Sequence, residues 1–224
     1  MNHDLPRRLV GEFLGSLVLT SVVVGSGIAA QQLSPGDRGL ELLENSLATG
    51  LALFVLIAVL AGVSGAHFNP VVSLVSASTR GLAWRHVPGY ILAQVAGCVA
   101  GAALANEMFA RALVSFSTHS RASGAHLLGE VVATAGLIVV IFALVRTKRS
   151  SQVPAAVGAY ITAAYFFTSS TSFANPAIAV GRMFSNSFAG IAPASVPAFV
   201  GAELLGAALG LGVVTYLFTN PEAP

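Results

Sequence analysis

Gly65-Ala66-His67-Phe68-Asn69-Pro70-Val71 is echoed further along the chain by Thr171-Ser172-Phe173-Ala174-Asn175-Pro176-Ala177. Each stretch closes an apolar run with Asn-Pro and continues in residues that suit a helix. Asn is a favoured N-cap, and Pro fits the first helical position, where its missing N–H costs nothing. Each Asn-Pro therefore predicts a helix start. Both starts lie among apolar segments of membrane length, where a helix would ordinarily run unbroken. A helix that begins at membrane depth is tolerated only where it lines a cavity or is packed in protein. Two such starts, one in each half of the chain, point to a pore.

The surrounding composition agrees with that reading. Of 224 residues, 55% are hydrophobic and 9% charged, against about 25% charged in a soluble domain. With a mean hydropathy of +0.80, the chain cannot cover a water-facing surface. Its long uncharged segments make it a polytopic α-helical protein of the lipid bilayer. A net charge of +2 is too small and dispersed for nucleic-acid binding. The single Cys98 rules out an intramolecular disulfide. Arg7 and Arg8 precede an apolar run that outlines a signal peptide, but the run is too long and lacks a clear small-residue cleavage site. It reads as a retained first span. No nucleophile–base pair, metal cluster or phosphate loop is present, so neither catalysis, a metal nor a cofactor is expected.

Six spans are predicted, from Leu9 to Ala30, Leu47 to Val63, Val87 to Ala105, Leu127 to Val145, Val153 to Thr168 and Val196 to Phe218. An Asn-Pro segment of about 10 residues follows the second span and another the fifth, each too short to cross a core about 30 Å thick. Each fits a half-membrane helix. The links on one side hold Arg7, Arg8, Arg80, Arg85, Arg146, Lys148 and Arg149. The other side holds Arg38, Arg111, Arg121 and Arg182. That bias predicts cytoplasmic termini, with a plasma (inner) membrane as the expected location.

The halves, residues 1–122 and 123–224, repeat. Gly11-Glu12 opens the first span and Gly129-Glu130 the fourth. Ala93-Gln94-Val95-Ala96-Gly97 matches Ala202-Glu203-Leu204-Leu205-Gly206. Three spans per half force the second copy to insert upside down, so the repeat is inverted. Gly97/Gly101 and Gly206/Gly210 share the spacing that lets helices approach closely.

The two boxes (Asn69-Pro70-Val71 and Asn175-Pro176-Ala177), His67-Phe68 before the first, and Glu12 and Glu130 in equivalent spans resemble the major intrinsic protein family, the aquaporins and aquaglyceroporins. The resemblance covers nearly the whole chain. It implies a right-handed bundle of six transmembrane helices and two half-helices, assembled as a homotetramer with a pore in each subunit. It also implies that Glu12 and Glu130 are scaffold carboxylates, accepting hydrogen bonds from the loops before the half-helices. His67 is expected to be a hydrogen-bonded loop support rather than a metal ligand, since no second His or Cys is spaced to join it. Two helix N-termini meeting in the pore repel cations, while the Asn69 and Asn175 amides donate to a passing oxygen. That is the general account of selectivity in such pores, not a property peculiar to this chain.

One departure defines the expected solute. Water-selective members carry Arg three residues after the second Asn, where this chain has Ile178, as in atypical bacterial members. By the same spacing the other filter positions are Thr49, Ala163 and Ser172. A ring without bulky or charged groups is expected to be wide. It would pass water with glycerol-like polyols, urea, and undissociated metalloid or weak acids. Arg182, one helical turn beyond Ile178, is a candidate charge for the outer vestibule, or else a partner of carbonyls or Glu44. The alternative reading is a secondary transporter, since broken helices and inverted repeats occur there too.

Overall fold

The computed structural model describes residues 4–218. The helices among them are α1 Leu5–Leu33, α2 Arg38–Ser64, α3 Pro70–Ser78, α4 Val87–Met108, α5 Gly124–Arg146, α6 Val153–Phe167, α7 Pro176–Arg182 and α8 Val196–Leu217. Proline at the first or second position sets the entry of α1, α3, α4, α6, α7 and α8, and left-handed Gly65 (φ 95°) ends α2.

Five helices, two of them counted with a preceding 3-10 turn, are long and apolar enough to cross a membrane. Helix α6 has 15 residues, which at about 1.5 Å each reach about 22 Å. The 3-10 turn Ser150–Gln152 leads into it and adds about 6 Å at about 2 Å per residue. Together they nearly match a hydrocarbon core about 30 Å thick. The second span begins at Arg38, well before the expected Leu47. Hydropathy finds the apolar run, but the backbone ladder continues through Glu41, Glu44 and Asn45. Asp37 caps this extension by accepting from the Leu40 amide at 3.0 Å. Asn45 ties it to α1, donating to the Val23 carbonyl at 2.9 Å and to Ser26 Oγ at 2.8 Å.

Helix α1 packs along α4, α5 along α8, and α2 along α6. The first two contacts depend on the paired glycines. A Cβ at Gly97 or Gly101 would fall on the Phe13 or Leu17 carbonyl of α1. One at Gly206 or Gly210 would fall on the Val131 or Ala135 carbonyl of α5. The short helices α3 and α7 fill the interior, with Val71, Ala77, Ala177 and Ile178 buried. Their N-termini approach each other within the bundle.

Candidate functional site

The site is built from the two loops that precede α3 and α7. Glu12 of α1 is wholly buried and accepts from the His67 amide at 3.0 Å, the Phe68 amide at 2.7 Å and Ser64 Oγ at 2.6 Å. Glu130 of α5 accepts from the Phe173 amide at 2.9 Å and the Ala174 amide at 2.7 Å. A trans peptide points its C=O opposite to its N–H. Turning these amides toward the carboxylates therefore turns the intervening carbonyls the other way. The backbone reverses through left-handed Ala66 (φ 51°), Phe68 (φ 50°), Ser172 (φ 48°) and Ala174 (φ 48°). Left-handed geometry at residues with a Cβ costs roughly 1–3 kcal/mol each, which the charge-assisted bonds to Glu12 and Glu130 offset.

Asn69 and Asn175 are brought together by reciprocal bonds. Asn69 Nδ2 donates to the Ala174 carbonyl at 2.7 Å, and Asn175 Nδ2 donates to the Phe68 carbonyl at 2.8 Å. Their Oδ1 atoms cap their own helices, accepting from the Val71 amide at 3.1 Å and the Ala177 amide at 3.0 Å. A primary amide has two donor hydrogens, so each side chain keeps one beyond the loop-to-loop bond. Pro70, Val71, Pro176 and Ala177 are buried behind the amides. His67 lies beside the first box, its Nδ1 3.0 Å from Ser73 Oγ and its ring 5.4 Å from that of Tyr90.

A continuous cavity of about 1160 Å³ runs past both asparagines. At one mouth it meets Ser78, Thr79, Arg146 and Lys148, and at the other Thr49, Tyr165, Ser172, Ile178 and Arg182. Between them, Leu53, Ile57, Leu137, Ile141, Val157 and Ile161 form an apolar wall.

The second mouth differs from expectation in two ways. Thr49, Ser172 and Ile178 are brought together there, but Ala163 is exposed on the outside of the bundle. Helix periodicity gives the reason: Val157, Ile161 and Tyr165 recur every four residues on the cavity face of α6. Ala163 lies two residues from Tyr165, about 200° around the helix. Tyr165 takes the place on the wall, its hydroxyl 3.1 Å from Thr49 Oγ1. The wall is also not free of bulky or charged groups, since Arg182 reaches it together with Tyr165. Arg182 is 1% exposed, its Nε donates to the Ala189 carbonyl, and its guanidinium lies 3.4 Å from the Phe173 ring centroid. Glu44 is not its partner; that carboxylate accepts from Ser34 Oγ at 2.8 Å.

Arg121 is a neighbour that sequence reasoning passed over. It comes from the segment between α4 and α5, and its guanidinium lies 5.4 Å from the same Phe173 ring. It donates to the Gly190 and Phe188 carbonyls at 2.8 and 2.9 Å. The periodicity of α6 could have identified Tyr165, whereas no local signal ties Arg121 to Phe173. Neither arginine forms an ion pair with a described carboxylate. Among the described residues, no three His, Cys, Asp or Glu side chains gather into a metal-binding group.

The arrangement is a passage with a polar stripe and an apolar one, a double amide at its waist and positive charge at both mouths. The family described as Major intrinsic protein matches residues 2–174. The aquaglyceroporin AqpS of Rhizobium meliloti is 50% identical over 221 residues, covering 99% of this chain and 94% of that protein. Aquaglyceroporin-3 of Trypanosoma brucei brucei is 33% identical over 180 residues, covering 70% of this chain and 58% of that protein. Among solved structures, the aquaglyceroporin from Plasmodium falciparum matches with a TM-score of 0.74 at 21% identity, covering 96% of this chain and 98% of that one.

Proposed function

Since this chain belongs to the major intrinsic protein family and is an integral membrane channel for water and small neutral solutes, we propose that its pore is of the broad kind. In this reading it takes glycerol-like polyols, urea, and undissociated metalloid or weak acids. It is a channel, not an enzyme. The inverted repeat of residues 1–122 and 123–224, the homotetramer, and an inner-membrane location with cytoplasmic termini belong to the same proposal.

The observation that carries the proposal is the two-sided wall around Ile178. A polyol leaving water gives up hydrogen bonds, and each polar group left unpaired costs about 1–3 kcal/mol. Thr49, Tyr165 and Ser172 offer hydroxyls at the mouth, and Asn69 and Asn175 offer N–H groups at the waist. The carbon side of the solute runs along Ile178 and the apolar wall below it. Arginine at 178 would add a second guanidinium beside that of Arg182, narrowing this level and favouring water over a carbon skeleton. Arg182 acts as the vestibule charge, supported by its burial against Phe173 in the cavity wall. It repels cations before they meet the helix N-termini at the waist.

Stopped-flow swelling of proteoliposomes, with water, glycerol, urea and arsenous acid compared on one preparation, tests the reading. Ile178→Arg is expected to lower glycerol flux at least about tenfold, about 1.4 kcal/mol in barrier, while leaving water flux within a few-fold. An unchanged solute profile would refute the assignment of Ile178.

A further inference from the structure

Glu203 of α8 stands where the first half of the chain has Gln94, and the two do comparable work. Gln94 Nε2 donates to Glu12 Oε2 at 2.7 Å, so an amide N–H steadies the carboxylate that holds the first loop. In the second half, Glu203 Oε1 accepts from the Asn175 amide at 2.9 Å. Its other oxygen, Oε2, is buried with no partner. Glu130 and Glu203 take the consecutive Ala174 and Asn175 amides of one loop, so their carboxylates lie side by side. Both side chains are wholly buried, and both Glu130 oxygens already accept from backbone amides.

Two carboxylates side by side, out of water and with no described cation at ion-pairing distance, do not both hold their charge. The groups facing Glu203 are few. Helix α5 presents Glu130 and α7 presents Arg182, while α3 contains no titratable residue; Glu130 in turn is faced by Arg121, from the segment between α4 and α5, and by Tyr160 of α6. Arg182 forms no ion pair with either acid among the described residues. On α8 itself the other titratable group is Tyr216, exposed to 83% near the far end of the helix.

We propose that Glu203 is a positioning residue that keeps its proton, its Oε2–H donating to Glu130 as the Gln94 amide donates to Glu12. The protonated acid has the same donor and acceptor pattern as the amide: one oxygen accepts, and the other terminal atom donates. The shared proton then holds Glu130, Phe173, Ala174 and the start of α7 as one unit. Removing it puts two anions side by side behind the second asparagine, so the clasp loosens under alkaline conditions. The first half, with its amide, has no such dependence.

Infrared spectroscopy of the reconstituted wild-type channel at neutral pH, compared with Glu203→Gln, tests this directly. The expected difference is one protonated-acid carbonyl band, present in the wild type and missing from the variant. Matching spectra in that region would overturn the proposal. Glu203→Gln should also fold and conduct within about twofold of the wild type at neutral pH, because it keeps every bond of the protonated acid. Failure of that variant to assemble would count equally against the idea. Raising the pH should reduce wild-type flux several-fold and leave Glu203→Gln nearly flat; parallel curves would refute the coupling of this proton to the pore.

Discussion

At the scale of single residues, position along a helix matters more than distance from a motif. Ala163 is twelve residues before Asn175, yet α6 turns it outward and gives the wall to Tyr165. Arg182 is four residues past Ile178, and a long side chain brings its charge back to the same mouth. Burying a guanidinium without a carboxylate is costly, but here a carbonyl and an aromatic face receive it. A desolvated cation–π contact is worth about 2 kcal/mol. A unit charge about 6 Å from a passing cation, at an effective dielectric of about 20, adds about 3 kcal/mol of repulsion. Arg182→Gln should therefore raise cation conductance at least about tenfold while glycerol flux changes little. Planar-bilayer recordings paired with swelling assays check this, and unchanged charge selectivity would remove Arg182 from the vestibule role.

At the scale of elements, the half-helices depend on long helices that bring backbone close to backbone. Gly101 of α4 meets the Leu17 carbonyl of α1, and Gly210 of α8 meets the Ala135 carbonyl of α5. No side chain fits at either place. Glu12 and Glu130 lie on α1 and α5 within these pairs, so separating the helices also moves the carboxylates that fasten the loops. Gly101→Val should cost about 1–3 kcal/mol in overpacking, lowering the melting temperature in detergent and the folded yield. Gly62 has open space around its Cβ position, so Gly62→Ala serves as the neutral comparison. Equal losses from both substitutions would show that the close contact is not what matters.

At the scale of the whole molecule, the two halves meet through their loops and through the segment that joins them. The reciprocal asparagine bonds cross from one box to the other. The link between α4 and α5 lies against the segment after α7, with the Ser115 amide donating to the Phe184 carbonyl and the Ala192 amide to the His119 carbonyl. Outside, α2 is buried over 28% of its membrane window, against 61% for α1. Leu51, Val55 and Val59 on that helix therefore require lipid or a neighbouring subunit. Native mass spectrometry from lipid particles should give four times the 22.8 kDa chain; a monomer at all concentrations would leave those faces to lipid alone. Sequence by itself determined the membrane class, the two interior helix starts and the small-residue seams, because hydropathy, capping and steric size are local properties. The period of α6 also held the exchange of Ala163 for Tyr165, but only the tertiary structure decided that Tyr165 meets Thr49, that Arg121 and Arg182 share Phe173, and that Glu203 lies beside Glu130. Those contacts join residues far apart in the chain, and their geometry depends on helix rotation and loop path, which no local pattern encodes.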